Sequence, residues 1–368
     1  MNTLRKKPCV LVGLLPAAVC ILVVGGIACP AKCETVLAQN DRATWFSDGR
    51  GRVEIDGKRG YIDLAGHLVI PAQFDRAWDF SEGLAAVLEK GMIGYINREG
   101  KLAIEPAFSL GASFMGGLAA VKVKAKCGYI DKRGKWAIRP RYDVAHSFSE
   151  GLAPVSADGA WFFINKEGKA VSERRFGYVG PYSGGLAAAR EQGDTGRWGF
   201  VNAQGQYVIR PRWIAALPFS SNPTYAAVKF DKPWSKGVNY GFIRKDGSTA
   251  IGPLEGVYVT MFSDGLALAM KEHHAKKPDS GMRWGFLDPN GQWAIPLKFR
   301  RATHFQEGLA GAATDAGWGI INKKGQFVVP AGSFYEVCPF SQGRARVRVK
   351  DKWGYIDKEG KWIWKPTK

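Results

Sequence analysis

The sequence predicts an all-β chain: a tandem array of about nine short antiparallel β-repeat units, curved into a propeller-like ring or an open superhelix. Three observations carry this. The tetrapeptide Gly60-Tyr61-Ile62-Asp63 returns in variant form beginning at residues 94, 128, 162, 199, 241, 285, 319 and 354, mostly 34 residues apart. Two landmarks keep step with it. One is a Gly three residues after the Asp or Asn, and the other is an element of the form Phe80-Ser81-Glu82-Gly83-Leu84-Ala85. Composition agrees, with 46 Gly and 12% aromatic residues, and no helical period runs through the chain after residue 40.

Each element of the unit has a physical reason. Asp63 or its equivalent opens a turn by accepting a backbone N–H two residues on, and Gly66 three residues later takes the conformation that closes a four-residue hairpin loop. Tyr61-Ile62 before the turn and Leu68-Val69-Ile70 after it read as its two strands. A Pro follows in most copies (Pro71, Pro106, Pro140, Pro211, Pro253, Pro296, Pro330, Pro366). Because Pro cannot donate to a ladder, it is expected to mark where the second strand stops. Unit four has Ser172-Glu173 there instead. Gly83 to Val87 reads as a third strand. Spacings of 42 and 44 come from polar insertions at Lys229 to Asn239 and Lys271 to Arg283, expected as loops on one side of the array. A unit this small cannot bury its own apolar face, so neighbours must stack. Its three predicted strands are short for a propeller blade, which leaves ring and open array as alternatives.

The first 38 residues read as a separate segment, a signal peptide or an N-terminal anchor, and residues 39–368 as the repeat domain. Arg5-Lys6-Lys7 is a positive start and Val10 to Ala28 an uncharged apolar run, with Val36 and Ala38 placed for cleavage before Gln39. The run is also long enough to span a membrane as an uncleaved anchor. Ala28-Cys29 offers a lipidation site, although Gly26 departs from the pattern that site requires. Only Cys127 and Cys338 of the six cysteines lie in the body, which makes no disulfide framework. The formal net charge is +19. With only Arg5, Lys6, Lys7, Lys32 and Glu34 in the first 38 residues, the basic excess belongs to the repeat body. Such a field favours anionic partners and is weakened by salt.

The run Trp353-Gly354-Tyr355-Ile356-Asp357-Lys358-Glu359-Gly360-Lys361 resembles the bacterial WG (Trp-Gly) repeat, and the resemblance extends over about Phe46 to Lys368. Trp198, Trp284, Trp318 and Trp353 keep the Trp, Trp161 stands one step before Phe162, and Arg59, Ile93, Cys127 and Tyr240 replace it elsewhere. The resemblance implies a β-rich repeat module, often exported, with partner binding as its usual role.

No catalytic, cofactor or metal residue is assigned. The Ser-Glu-Gly runs at Ser81, Ser149 and Gln306-Glu307 recur in register, whereas a nucleophile would be needed once, so they read as turn and cap residues. His67, His146 and His304 read as turn or interface residues. His273-His274 lie on a basic insertion without a third ligand. Trp136, Trp293, Trp362 and Trp364 sit beside Lys or Arg, where an exposed ring would stack a sugar or a base, and alternation places Trp362 and Trp364 on one face. The expectation is an exported binding or scaffolding module of the periplasm or cell envelope. It would engage a protein, an anionic glycan or a lipid headgroup; nucleic acid is disfavoured by export. Membrane contact is expected only through the N-terminal segment. The alternative is a cell-wall or glycan hydrolase whose carboxylates converge in one cleft.

Overall fold

The computed structural model describes residues 45–366, except 194–195, 232–237 and 274–280. The proposed N-terminal signal and Cys29 lie outside the described residues. Among the described residues there is no helix, and the strands form nine small antiparallel sheets arranged as the blades of a closed ring. Blades 1 to 9 span residues 45–74, 76–108, 110–142, 144–176, 178–213, 215–255, 257–299, 301–334 and 336–364. The ring form is therefore the one adopted, with nine blades, of which blade 1 lacks a first strand among the described residues.

Blade 2 shows how a short unit makes a blade. Its first strand is Arg76–Ala77, followed by Leu84–Glu89, Met92–Asn97 and Leu102–Phe108. The predicted three-stranded unit thus gains a fourth strand only two residues long, which periodicity is blind to. Adjacent blades meet mainly through these first strands, while the fourth exposes alternate residues. The first strand therefore lies toward the ring axis and the fourth on the outer rim.

The Asx hairpins form as expected. Asp63 Oδ1 accepts the N–H groups of Ala65 and His67 at 2.9 Å each, and Gly66 sits at φ 90°. The prolines depart from expectation. Pro71 lies inside the strand Leu68–Phe74, not at its end. Arg59 pairs with Phe74 but Tyr61 with Ile70, so three residues bulge out opposite Gly60. The bulge brings backbone so close that a Cβ on Gly60 would stand 2.6 Å from the Ile70 carbonyl oxygen and 2.7 Å from Ala72 N. The Gly of each Trp-Gly pair is thus required by space. The Pro costs no ladder bond because it sits on a rim strand. Blade 4, the unit without Pro, has only three strands; Phe176 and Ala170 make isolated bridges where the fourth would run.

Blades are joined by a recurring set of contacts. The tetrapeptide Tyr reaches into the next blade, with its hydroxyl donating to Trp78 O from Tyr61 (2.7 Å), to Ala112 O from Tyr95 (2.9 Å) and to His146 O from Tyr129 (2.7 Å). Its ring meets the Phe of the next Phe-Ser-Glu-Gly element edge-on, as in Tyr95–Phe114 at 5.1 Å between centroids. Each such pair adds about 1 kcal/mol beyond area burial. The Ser-Glu-Gly elements are two-residue turns with both central residues at positive φ (Glu82 53°, Gly83 90°). Ser81 Oγ donates to Phe114 O, and the Glu82 carboxylate accepts from Gly116 N and Gly117 N at 2.7 and 3.0 Å. The runs read as caps are therefore clamps between blades.

The ring closes by the same serine clamp and ring contact, but the Tyr355 hydroxyl bonds inside the strand Gly51–Ile55, because blade 1 has no short first strand among the described residues. Tyr355 donates to Arg52 O at 2.8 Å, Ser341 Oγ donates to Phe46 O at 2.7 Å, and Gly49 N donates to Gln342 Oε1 at 3.0 Å. Phe46 and Tyr355 meet edge-on at 4.9 Å within a cluster that includes Val53 and Ile62. Among the described residues no strand is exchanged between blades 1 and 9.

Candidate functional site

Because the first-to-second and third-to-fourth strand turns share one end of the ring, the second-to-third turns share the other. The lengthened turns of blades 6 and 7 join Ala226–Lys229 to Asn239–Ile243 and Leu266–His273 to Gly281–Leu287, so both insertions start from that second end. His274 lies outside the described residues, and no geometry of the His273-His274 pair follows. Among the described residues no group of three or more His, Cys, Asp or Glu side chains could hold a metal.

The other histidines serve the framework. His67 is exposed, with Nδ1 3.2 Å from Asp63 of its own turn. His304 is buried and its Nε2 lies 2.8 Å from Thr260 Oγ1 of the preceding blade. His146 packs edge-on against Trp161 and near Tyr178, with its Nε2 buried and unpaired. Burial holds its pKa down to about 4. A base with a depressed pKa contributes stability that is present above its ordinary value of about 6.5 and is lost as pH falls toward 4. The fold should therefore lose about 2 kcal/mol between pH 7 and 4 through this group, after allowance for the solvent that still reaches it. His146→Leu should flatten that limb of a urea-midpoint profile; an unchanged profile would show that His146 does not carry it.

At the closure between blades 9 and 1 the repeat breaks its own rule. The residue paired with the tetrapeptide aromatic is small or apolar in seven blades, for example Ala86, Ala120 and Ala188. In blades 1 and 9 it is Arg52 and Arg346, both buried. The Arg346 guanidinium lies 4.3 Å over Trp353. Asp79 of blade 2 faces this pair, accepts Trp45 N at 3.0 Å through Oδ2, and leaves Oδ1 unpaired. Burial raises its pKa against the pull of Arg52 and Arg346. Its stabilising contribution is thus present below the ordinary carboxylate range and lost as pH rises through its raised value.

Six arginines gather on the outer rim of blades 3 to 5. Arg139 and Arg141 flank Pro140, Arg210 and Arg212 flank Pro211, and Arg174 and Arg175 fill the blade between, all six exposed. The guanidiniums lie on aromatic rings: Arg141 on Tyr142 at 5.1 Å, Arg175 on Phe162 at 4.3 Å, Arg174 on Tyr207 at 5.1 Å and Arg212 on Trp213 at 4.5 Å. Arg141 and Arg212 also latch onto the next blade by donating to Gly168 O and Gly247 O. None of the six forms an ion pair among the described residues, although other rim charges do, such as Lys126 with Asp143 at 2.6 Å. Beside them a hollow of about 640 Å³ is lined by Val123, Lys124, Lys126, Trp136, Arg139 and Pro140.

Trp136 and Trp293 are each 38% exposed, as the sugar-stacking reading needs. Trp362 and Trp364 do not share a face. A bulge between Tyr355–Trp364 and Ile356–Trp362 sends Trp362 against Phe334 of blade 8 and Trp364 toward the Phe46 cluster. Trp198, Trp284 and Trp318 pack against blade cores.

With this geometry in hand, the family profile described as "WG containing repeat" matches residues 60–92, 93–127, 128–161, 161–194, 198–234, 284–315, 318–353 and 353–367. The chain belongs to the WG-repeat family. The stretch 235–283 falls outside the matches, yet it supplies the later strands of blade 6 and the first strands of blade 7, so the insertions have blurred the motif without removing the blades. No curated protein matches the sequence. Among solved structures, apo AztD from Citrobacter koseri is 13% identical, covering 89% of this chain and 95% of that one at a TM-score of 0.38. The extracellular domain of a putative hybrid two-component system from B. thetaiotaomicron is 10% identical, covering 87% of this chain at a TM-score of 0.31; this WG-repeat chain spans about half, 51%, of that one. A quinohemoprotein alcohol dehydrogenase from Pseudomonas putida is 10% identical, covering 75% of this chain and 68% of that one at a TM-score of 0.38.

Proposed function

We propose that this WG-repeat ring is an exported, non-catalytic binding or scaffolding module of the bacterial envelope. One observation supports this above others: the polar residues that recur along the array are used up in holding the ring. The tetrapeptide Tyr hydroxyls, the serines and the carboxylates of the Ser-Glu-Gly elements all bond to the neighbouring blade. The Asx carboxylates are spent on their own turns, as with Asp131 Oδ1 accepting from Arg133 and Lys135. What differs from blade to blade is left to meet a partner, namely the rim arginines and the lengthened turns. Export is supported by Arg5-Lys6-Lys7 and the apolar run after it. The basic excess favours an anionic partner.

The purified protein, immobilised and offered envelope polymer fractions in 50 mM and 500 mM salt, should retain material in the first and release most of it in the second. Absence of retention at both would refute the binding reading. Release of new reducing ends or peptides from the retained polymer would refute the non-catalytic one.

A further inference from the structure

We infer that the outer rim of blades 3 to 5 is a binding track for an acidic polysaccharide, with a sugar-stacking subsite at Trp136. This rests on the binding-module reading and adds the site and the partner's chemistry.

The track is continuous. Tyr142 of blade 3 meets Phe162 of blade 4 edge-on at 6.1 Å, Arg175 covers Phe162, Phe176 meets Tyr207 of blade 5 at 5.9 Å, and Arg174 covers Tyr207. Missing its outer strand, blade 4 presents Arg174 and Arg175 between the two Arg-Pro-Arg strands. Glu173 is the one carboxylate in the segment that carries them. Six exposed cations without ion pairs on one rim repel each other, and a polyanion relieves that repulsion. Arginine suits carboxylates because its planar fork donates two parallel hydrogen bonds, and a ring beneath the guanidinium fixes the fork's plane before anything binds.

Charge alone fits an acidic protein equally well; the hollow separates the two. The exposed Trp136 lines it together with Lys124 and Arg139, and Phe108 meets the Trp136 ring edge-on at 6.0 Å. A sugar ring presents an apolar C–H face to an indole and directs a ring carboxylate sideways. An aromatic flanked by cations therefore reads a uronic-acid unit, and a row of arginines beyond it reads the units that follow.

The test uses the whole protein and three probes at low salt: polygalacturonate, poly-glutamate and uncharged dextran. Polygalacturonate should bind most tightly and dextran not measurably. Replacing Arg139, Arg174 and Arg210 together by Gln should weaken polygalacturonate at least tenfold, while Lys101, Lys324 and Lys361 replaced by Gln on the Asx-turn end should change it less than twofold. Trp136→Ala should weaken polygalacturonate about fivefold and leave poly-glutamate unchanged. All of these residues are exposed, and the latching Arg141 and Arg212 are left intact, so a melting curve like the parent's is expected for each variant. An equal loss for the two triple variants would overturn the rim as a site. Poly-glutamate binding as tightly as polygalacturonate, with Trp136 irrelevant, would overturn the polysaccharide. If no probe binds while envelope polymers are still retained, this inference fails alone; if neither is retained, the parent reading fails with it.

Discussion

Gly128→Ala should destabilise the ring by about 3 kcal/mol or more, although Ala is the smallest side chain that can be added. Gly128 belongs to the Cys127-Gly128-Tyr129 copy of the Trp-Gly pair. A Cβ there would stand 2.6 Å from the Ile138 carbonyl oxygen and 2.7 Å from Pro140 N, both backbone atoms held by the bulge. A side chain could rotate out of the way, but this backbone is anchored at Tyr129–Ile138 and Cys127–Tyr142, so the strand pair itself must part. Gly151 is the control. It sits at φ 83° with nothing within 4 Å of a built Cβ, so Gly151→Ala meets only the left-handed strain of about 1–2 kcal/mol. Urea midpoints of the two variants give the comparison. If Gly128→Ala costs no more than Gly151→Ala, the close approach of the bulge is not what demands the glycine.

Phe46→Ala should cost about 3–5 kcal/mol, the range for emptying a buried phenylalanine site, and should cost the same as Phe114→Ala within about 1 kcal/mol. Phe46 sits at the closure, 2% exposed, against Tyr355; Phe114 sits between blades 2 and 3, fully buried, against Tyr95. Equality is expected because the edge-on Tyr–Phe contact and the serine clamp that surround each phenylalanine recur at the closure. The Phe46 variant should differ in one respect, a larger radius of gyration in solution scattering at moderate urea, since its weakened interface is the one where the polypeptide is not continuous. A cost below about 1 kcal/mol for Phe46→Ala alone would mean that blades 9 and 1 carry no load. A cost far above that of Phe114→Ala would mean that something beyond the repeated contacts holds them.

Much of this architecture could be read from residue order, because the repeat states the same instruction nine times. The Asx turn, its two strands and the Gly-Leu-Ala-Ala-Val strand stand where Asp63, Gly66 and Gly83 place them. What was not legible had a physical cause each time. Arg76–Ala77 is too short to show alternation, so the fourth strand went unseen and the ring could not be told from an open array. Pro71 looked like a strand end because a proline cannot donate; on a rim strand that loss is harmless, and the chain runs on to Phe74. The same bulge defeated the alternation argument for Trp362 and Trp364, since a one-residue shift in register turns a side chain to the other face. The rim and the closure did leave signals. Ile-Arg-Pro-Arg occurs in blades 3 and 5, and Arg52 and Arg346 interrupt a position that is small or apolar elsewhere. Both would emerge from laying the nine units over one another and asking where each departs, a different question from where they agree.

Among the described residues blades 9 and 1 exchange no strand, which bears on how such a chain can be rewired. In rings sealed by a swapped strand, the cut between first and last residue is privileged. Here residue 45 and residue 364 belong to facing sides of an ordinary blade boundary, with Trp364 packed toward the Phe46 cluster. A short tether across that gap, with a new opening placed in any other inter-blade link, would leave every sheet intact. The links between the other blades are therefore further places for a polypeptide of this design to begin.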